Sequence, residues 1–132
     1  MTTSKRAKRS HHCNELRSTH AGEIVTLMGW VAQHRNLGGL IFVDLRDIHG
    51  KTQIVFDPAT SDRLYKQAQN LRAETVIAIK GKTALRPDNM RNPSMGTGDI
   101  EIHAISLEIF SKMMNKFEVW EEDKKGESIL FI

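Results

Sequence analysis

The amino-acid sequence predicts a mainly β protein, built as a small barrel of five strands with one helix. Three stretches of alternating or continuous apolar residues, separated by two glycine turns, occupy residues 24–57. The apolar spacing then changes to that of a helix, and two further apolar strands follow. Three strands, a helix and two strands is the element order of the OB-fold, a five-stranded Greek-key barrel with a helix between its third and fourth strands.

Five segments carry the strand pattern, in which apolar side chains recur at every second position or run together for a few residues. They are residues 24–33, 40–47, 51–57, 76–83 and 100–110. Gly29 marks a bend or bulge in the first of them. Gly38 and Gly39 supply the positive φ angles that a tight hairpin between the first two strands requires. Pro58 ends the third strand, because proline cannot donate a hydrogen bond to a neighbouring strand.

One segment, residues 61–74, carries the helical pattern. Its apolar residues Leu64, Ala68 and Leu71 recur at spacings of four and three, and Ser61 is a favourable N-cap. The sequence therefore predicts an amphipathic helix of about three turns. Residues 86–98 contain two prolines, two glycines and two asparagines, a composition that predicts a loop.

The net charge of +3 is concentrated at the start of the chain. Residues 1–12 contain four basic residues and no acid, whereas residues 13–110 contain 11 basic and 11 acidic residues. We therefore divide the chain into a basic flexible tail (1–12), an OB-fold domain (13–110) and a divergent C-terminal extension or truncated hinge (111–132). Because residues 13–110 carry no net charge, the domain is not expected to bind a nucleic acid through phosphate charges alone. The basic tail either adds contacts to phosphates or is a solvated, disordered arm.

The composition excludes several classes of protein. The longest apolar runs, 40–43 and 76–79, are far shorter than the ~20 residues that span a bilayer, so we expect no membrane association. Cys13 is the single cysteine, which excludes an internal disulfide. No apolar segment of a secretory signal follows the basic start, and we expect a cytoplasmic protein.

One outer face of the predicted barrel combines an aromatic side chain with polar ones. Alternation along the strands places Phe42, Gln53 and Glu101 on the side opposite the core, with Arg35 beside the first turn. An aromatic ring stacks on an unpaired base for about 1–3 kcal/mol, and the three polar groups offer donors and acceptors to base edges. These four are the candidate nucleic-acid-binding residues. In the alternative interpretation, a one-residue bulge turns Phe42 into the core and the polar residues are a solvated face.

Other chemistry has weaker support in the sequence. His11, His12, Cys13 and His20 resemble a metal cluster in composition, but no second Cys/His pair stands at metal-ligand spacing, and we expect no metal site. Neither a Ser/His/Asp arrangement nor a phosphate-binding glycine loop is evident. We therefore expect no catalytic residues in this chain.

Several motifs, in order over residues 11–110, resemble the N-terminal anticodon-binding domain of bacterial-type aspartyl-tRNA synthetases. They are HHCNELRSTHAGEIVTLMGWV, LGGLIFVDLRDIHGKTQIVFDP, LRAETVIAIKGK and NPSMGTGDIEI. The resemblance implies a tRNA anticodon loop as partner, aspartate tRNA foremost. It also implies that Phe42 stacks on the middle uridine, that Gln53 and Arg35 contact this uridine, and that Glu101 reads the first base.

The resemblance also has limits. Asn14 replaces the usual glycine, the stretch 33–35 has fewer arginines than is typical, and the match fades after Phe110. The three class II catalytic motifs are missing from this chain. The resemblance therefore implies ATP, magnesium and the formation of aspartyl-tRNA only for the full-length enzymes, and the same holds for their homodimeric state. We expect this chain to need no cofactor. Two alternatives are a free-standing single-strand-binding protein without anticodon specificity and a barrel that docks a protein partner through an exposed sheet edge or through residues 117–132.

Overall fold

Five strands close into a barrel. The computed structural model describes residues 9–111, 120–122 and 128–130. Its helix and strands are β1 (Ile24–Leu37), β2 (Leu40–Arg46), β3 (Lys51–Phe56), α1 (Asp62–Gln69), β4 (Val76–Leu85), β5 (Ile100–Ser111), β6 (Trp120–Glu122) and β7 (Ser128–Leu130). The barrel order is β1-β2-β3-β5-β4, and β6 pairs with β7 in a separate antiparallel ladder. The predicted five-stranded OB-fold barrel, with one helix between its third and fourth strands, is confirmed.

Strand β1 is long because it pairs with two different strands. Its first half, up to Trp30, pairs with β4, and its second half, from Trp30 to Leu37, pairs with β2. The predicted strand at 24–33 is therefore too short, since the ladder with β2 continues to the hairpin turn. A bulge lies between Val31 and Gln33, just beyond the expected bend at Gly29.

Gly29 stands where β1 changes partners, and the backbone of β2 approaches it closely. A Cβ atom at this position would overlap the carbonyl oxygen of Arg46 and lie 2.9 Å from its carbonyl carbon. Only glycine leaves room for this approach. The residue is therefore required by packing between two backbones, whatever its own backbone conformation.

The barrel closes through β3 and β5, the only parallel pair among its strands. Ile54 faces Ile102 and Val55 faces His103 across this ladder. The inward side chains form one apolar core, in which the alternation predicted for β2 is preserved. Its largest fully buried members are Phe56, Leu16, Leu27, Ile41, Leu45, Ile54, Ile77, Ile79, Ile100 and Ile102.

Helix α1 packs its apolar side on the core, as its spacing predicts. Leu64 and Ala68 are buried, and Leu71, just beyond the helix, is buried with them. The helix begins after Ser61, whose Oγ accepts a hydrogen bond from the Leu64 N–H at 3.2 Å. This is the N-cap interaction expected of serine at that position.

The helix is shorter than predicted, ending at Gln69 instead of continuing to residue 74. After the helix the chain returns to the bulge of β1. There the Glu74 N–H donates to the Val31 carbonyl at 2.7 Å, and the Val31 N–H donates to the Thr75 carbonyl at 2.9 Å. The Asn70 and Leu71 N–H groups close the helix with bonds to the Gln67 and Ala68 carbonyls, and the backbone of Glu74 and Thr75 pairs with β1 instead of continuing it.

The described part of the basic tail lies against the barrel. Ser10 N–H donates to the Thr26 carbonyl at 2.8 Å, and Thr26 N–H donates to Ser10 Oγ at 2.8 Å. Arg9 lies 3.9 Å from the Asp47 carboxylate. Residues 1–8 and most of the proposed docking segment 117–132 lie outside the described residues. Within the part of the chain that the structure describes, no helix is long and apolar enough to cross a membrane.

The close approach at Gly29 predicts a large effect of one methyl group. We expect Gly29→Ala to lower the free energy of unfolding by about 1–3 kcal/mol, because the two backbones must separate. Urea unfolding followed by tryptophan fluorescence measures this loss. The control is Gly38→Asn, since Gly38 has φ +60 and open space around it, and asparagine tolerates that conformation. Its stability should stay within about 0.5 kcal/mol of the wild type. Equal stability of the two variants would contradict the packing argument.

Candidate nucleic-acid interface

Outward side chains of four strands form two adjacent rows on the barrel, which we call the outer face. The first row follows the register of β1, β2, β3 and β5, and consists of Arg35, Phe42, Val55 and His103. The second row follows the same strands and consists of Gln33, Asp44, Gln53 and Glu101. Directly paired residues of neighbouring strands point to the same side of a sheet. The structure therefore brings all four sequence-predicted site residues together.

Phe42 is on the outer face and not in the core. Its neighbours Ile41 and Val43 belong to the core cluster, whereas Phe42 does not. The bulge of this ladder is on β1, so the alternation of β2 is uninterrupted. The ring is nevertheless only 8% exposed, with Arg35 and Val55 opposite it on the two adjoining strands. Phe42 is thus an outward aromatic residue that its neighbours largely cover.

Gln53 is held at the centre of a chain of hydrogen bonds. Its Oε1 accepts from the Arg35 guanidinium at 3.3 Å, and its Nε2 donates to Glu101 Oε1 at 3.1 Å. Arginine can only donate and an ionised carboxylate can only accept. The two partners therefore determine which end of the Gln53 amide is oxygen and which is nitrogen.

The network continues beyond Gln53 at both ends. Arg35 also donates to Gln33 Oε1 at 3.3 Å and reaches Asp44 Oδ1 at 3.5 Å. At the other end, Glu101 Oε2 and the Nε2 of His103 are 2.8 Å apart. Every polar side chain of the two rows is therefore bound to another one, which holds the outer face in a defined arrangement.

Two carboxylates of this face are almost buried, Asp44 at 7% and Glu101 at 8% exposure. Positive groups offset them, and one of these, Arg86, was not anticipated from the sequence, where it opens a predicted loop. Burial lowers the pKa of Arg86, while attraction to Glu101 and Asp44 acts in the opposite direction. Its Nε donates to the Ile100 carbonyl at 2.8 Å and thereby anchors the loop beside β5.

Two further residues of the face were assigned no role from the sequence. Asp44 lies in the second row, where its Oδ1 is 3.5 Å from the Arg35 guanidinium and forms an ion pair with it. His103 shares its side of β5 with Glu101, as the alternation indicates. The hydrogen bond to Glu101 is the main cause that raises the pKa of His103; burial acts against it, and the charges of Glu101 and Asp57 support it.

The histidines near the start of the barrel form a separate group. Ligand atoms of His11, His20 and Glu23 lie within 4.8 Å of one another. The Nδ1 of His20 accepts the Arg17 backbone N–H at 2.9 Å, so the neutral ring carries its proton on Nε2 and has no lone pair for a metal. Cys13 is fully buried, and burial is the main cause that raises its pKa. The arrangement of these side chains is therefore better explained by hydrogen bonding within the protein than by the binding of a metal ion.

Comparison with known proteins supports nucleic-acid binding. Residues 25–110 match the family model described as an OB-fold nucleic acid binding domain of the tRNA anti-codon type. The aspartate–tRNA(Asp/Asn) ligase of Desulfatibacillum aliphaticivorans is 47% identical over 105 residues, which are 80% of this chain and 18% of that protein. The ligase of the same name from Desulfotalea psychrophila is 44% identical over 123 residues, 92% of this chain and 20% of that protein. The chain thus spans about a fifth of the length of these curated relatives.

Solved structures show the same barrel. The asparaginyl-tRNA synthetase of Pyrococcus horikoshii complexed with asparaginyl-adenylate has a TM-score of 0.64 at 25% identity, over 75% of this chain and 21% of that chain. The OBody AM2EP06 bound to hen egg-white lysozyme has a TM-score of 0.72 at 24% identity, over 83% of this chain and 99% of that chain. The second likeness concerns the fold alone.

The hydrogen bond between His103 and Glu101 predicts a pH-dependent stability. The pKa of His103 in the folded protein is raised above its ordinary value of 6.5, so the folded state binds this proton more tightly than the unfolded chain. The resulting stabilisation is complete below pH 6.5 and is lost as the pH rises through the raised pKa.

We therefore expect the free energy of unfolding to fall as the pH rises above about 6.5 and through the raised pKa, and to fall less in His103→Gln. Urea titrations at several pH values measure both slopes. The matched control is His12→Gln, which removes a histidine 3.7 Å from another glutamate, Glu15, outside the outer face. If His103→Gln has the slope of the wild type, the ion pair does not contribute.

Proposed function

The chain belongs to the family of OB-fold anticodon-binding domains of aspartyl-tRNA synthetases, and we propose on this basis that it binds the anticodon loop of aspartate tRNA. The observation that carries the proposal is the Gln53 amide, held on the outer face between Arg35 and Glu101. OB-folds bind oligonucleotides on the face of their second and third strands, which is where Gln53 and Phe42 lie.

The held amide explains a preference for uridine at the middle position of the anticodon. Because two partners determine the orientation of the Gln53 amide, its remaining N–H donor and its remaining oxygen lone pair each occupy a fixed position on the face. The uracil edge offers an acceptor and a donor in complementary order, whereas cytosine offers them reversed. A cytosine would leave polar groups unpaired, which costs about 1–3 kcal/mol.

Phe42 supplies the stacking surface for the same base. Its ring is mostly covered in the free protein, so we propose that RNA binding displaces the side chain opposite it. Arg35 is the candidate, because its side chain is 33% exposed and its bonds to Asp44 and Gln53 are long, at 3.5 and 3.3 Å. The guanidinium then gives up its contact with Asp44 and turns toward the RNA, where it can donate to the uridine or to a phosphate while one N–H stays on Gln53 Oε1.

Glu101 reads the first anticodon base in this proposal. Its carboxylate offers only acceptors, which suit the N1–H and amino donors of guanine and reject the N1 acceptor of adenine. Aspartate and asparagine anticodons share both the first guanine and the middle uridine. The curated relatives are named for tRNA(Asp/Asn), and we propose that this chain likewise binds loops from both tRNAs.

The activity of a longer protein containing this domain is a further part of the proposal. By analogy with relatives of which this chain spans about a fifth, we propose a cytoplasmic, homodimeric ligase that joins aspartate to tRNA with ATP and magnesium. We also propose that anticodon binding by this chain proceeds without a cofactor.

The uridine preference is tested with two fluorescent anticodon stem-loops that carry GUC and GCC. At fixed moderate salt we expect the GUC loop to bind at least about tenfold more tightly, which corresponds to about 1.4 kcal/mol. Gln53→Ala should abolish this preference. Gln67→Ala, on the exposed side of α1, is the matched control and should retain it. Equal binding of both loops by the wild type would instead identify a single-strand binder without anticodon specificity.

Stacking on Phe42 is tested separately. We expect Phe42→Leu to weaken binding of both loops by a similar factor of roughly tenfold, because stacking tolerates any base and contributes about 1–3 kcal/mol. Phe42→Tyr keeps the ring and should bind nearly as the wild type does. Urea unfolding of both variants checks that the barrel is intact. Wild-type affinity in Phe42→Leu would exclude the ring as a stacking platform.

A further inference from the structure

His103 ends the first row of the outer face and has no part in the base contacts described so far. Its side chain is 47% exposed, whereas that of Glu101 beside it is only 10% exposed. Val55 separates it from Phe42 along the row. The imidazole therefore stands next to the carboxylate that would read the first base, at the accessible edge of the same surface.

The two oxygens of Glu101 are held by different side chains. Oε1 accepts from Gln53 at 3.1 Å, and Oε2 lies 2.8 Å from the Nε2 of His103. Because an ionised carboxylate cannot donate, Nε2 must carry the proton of that bond, and Nδ1 is the nitrogen that gains or loses a proton with pH. Two anchors define the plane of the carboxylate, whereas Gln53 alone would leave it free to rotate.

We propose that His103 is a specificity-determining positioning residue, which holds the Glu101 carboxylate in the orientation that prefers guanine at the first anticodon position and does so most firmly when the imidazole is protonated. The inference rests on the proposed function, since it concerns the same anticodon loop. It adds a residue that the family resemblance did not assign and a dependence on pH.

Charged groups on three elements surround the imidazole. Glu101 is on its own strand, Asp57 follows β3, and Lys82 is opposite it on β4. Both carboxylates favour the protonated ring, and the pKa of His103 is raised, chiefly by the bond to Glu101. A protonated ring makes a charge-assisted, stronger hydrogen bond to the carboxylate. As the pH rises through this pKa, the hydrogen bond to Glu101 weakens, so the preference for guanine decreases. The outer face also loses the positive charge of the imidazolium, which attracts the RNA, so the affinity decreases as well.

The experiment compares stem-loops that carry GUC and AUC, so that only the first base differs. Affinities are measured at about pH 6 and about pH 8.5, on either side of the histidine transition. We expect the guanine preference of the wild type to decrease severalfold between these two values. In His103→Gln the amide still donates to Glu101, so a preference should remain but be independent of pH. In His103→Ala the donor is lost, and the preference should be reduced at least fivefold at both pH values.

The uridine preference, measured with GUC and GCC loops, distinguishes a positioning role from general damage to the face. It should be unchanged in both His103 variants, since Gln53 keeps its bond to Arg35. His12→Gln is the matched control and should behave as the wild type in every comparison. A guanine preference in His103→Ala equal to that of the wild type would overturn the inference. Absence of uridine preference in the wild type would overturn the proposed function itself.

The titration of His103 can also be followed directly, without relying on the alanine variant. NMR of the ring protons reports its pKa in the free wild-type protein and in the GUC complex. We expect binding of the GUC loop to raise this pKa, because affinity and protonation are linked, and binding of the AUC loop to raise it less. Equal pKa values in the free and GUC-bound protein would contradict the inference.

Discussion

The parallel pairing of β3 with β5 is the contact on which the rest of the structure depends. It closes the barrel and places Ile54 against Ile102 inside the core. On the opposite side of the same two strands it places Gln53 beside Glu101, 48 residues away in sequence. The apolar burial that closes the barrel and the polar network on its surface are therefore two consequences of one register. A shift by one residue would exchange the two sides.

The outer face is organised by hydrogen bonds between groups whose charges nearly cancel. The carboxylates of Asp44 and Glu101 are almost buried, and Arg35, Arg86 and His103 lie close enough to compensate them. Such a surface attracts a polyanion only weakly, in keeping with the neutral body of residues 13–110. It suits recognition of base edges, where the order of donors and acceptors decides the outcome and total charge matters less.

Agreement between sequence pattern and structure is best where the spacing of apolar residues is decisive. The alternation along β2 correctly separates the core-facing Ile41 and Val43 from Phe42. It is poorest at element ends: the predicted helix extends to residue 74, but the helix ends at Gln69, and the backbone of Glu74 and Thr75 pairs with β1 instead. The charge of residues 9–12 predicts that they belong to a flexible tail, yet Ser10 is hydrogen-bonded to β1. In each such case a distant segment of the chain supplies the partner.

The sequence by itself determined the order of the five strands and the inserted helix, and it proposed the four residues of the candidate site while leaving open whether Phe42 faces the core. These follow from period and residue type, which are local properties of the chain. Only the tertiary structure decided which side chains hold one another: the orientation of Gln53, the two anchors of Glu101, the burial of Arg86 and the covering of Phe42. These depend on the register between strands distant in sequence, which the folding of the whole core sets because only one register buries every apolar face.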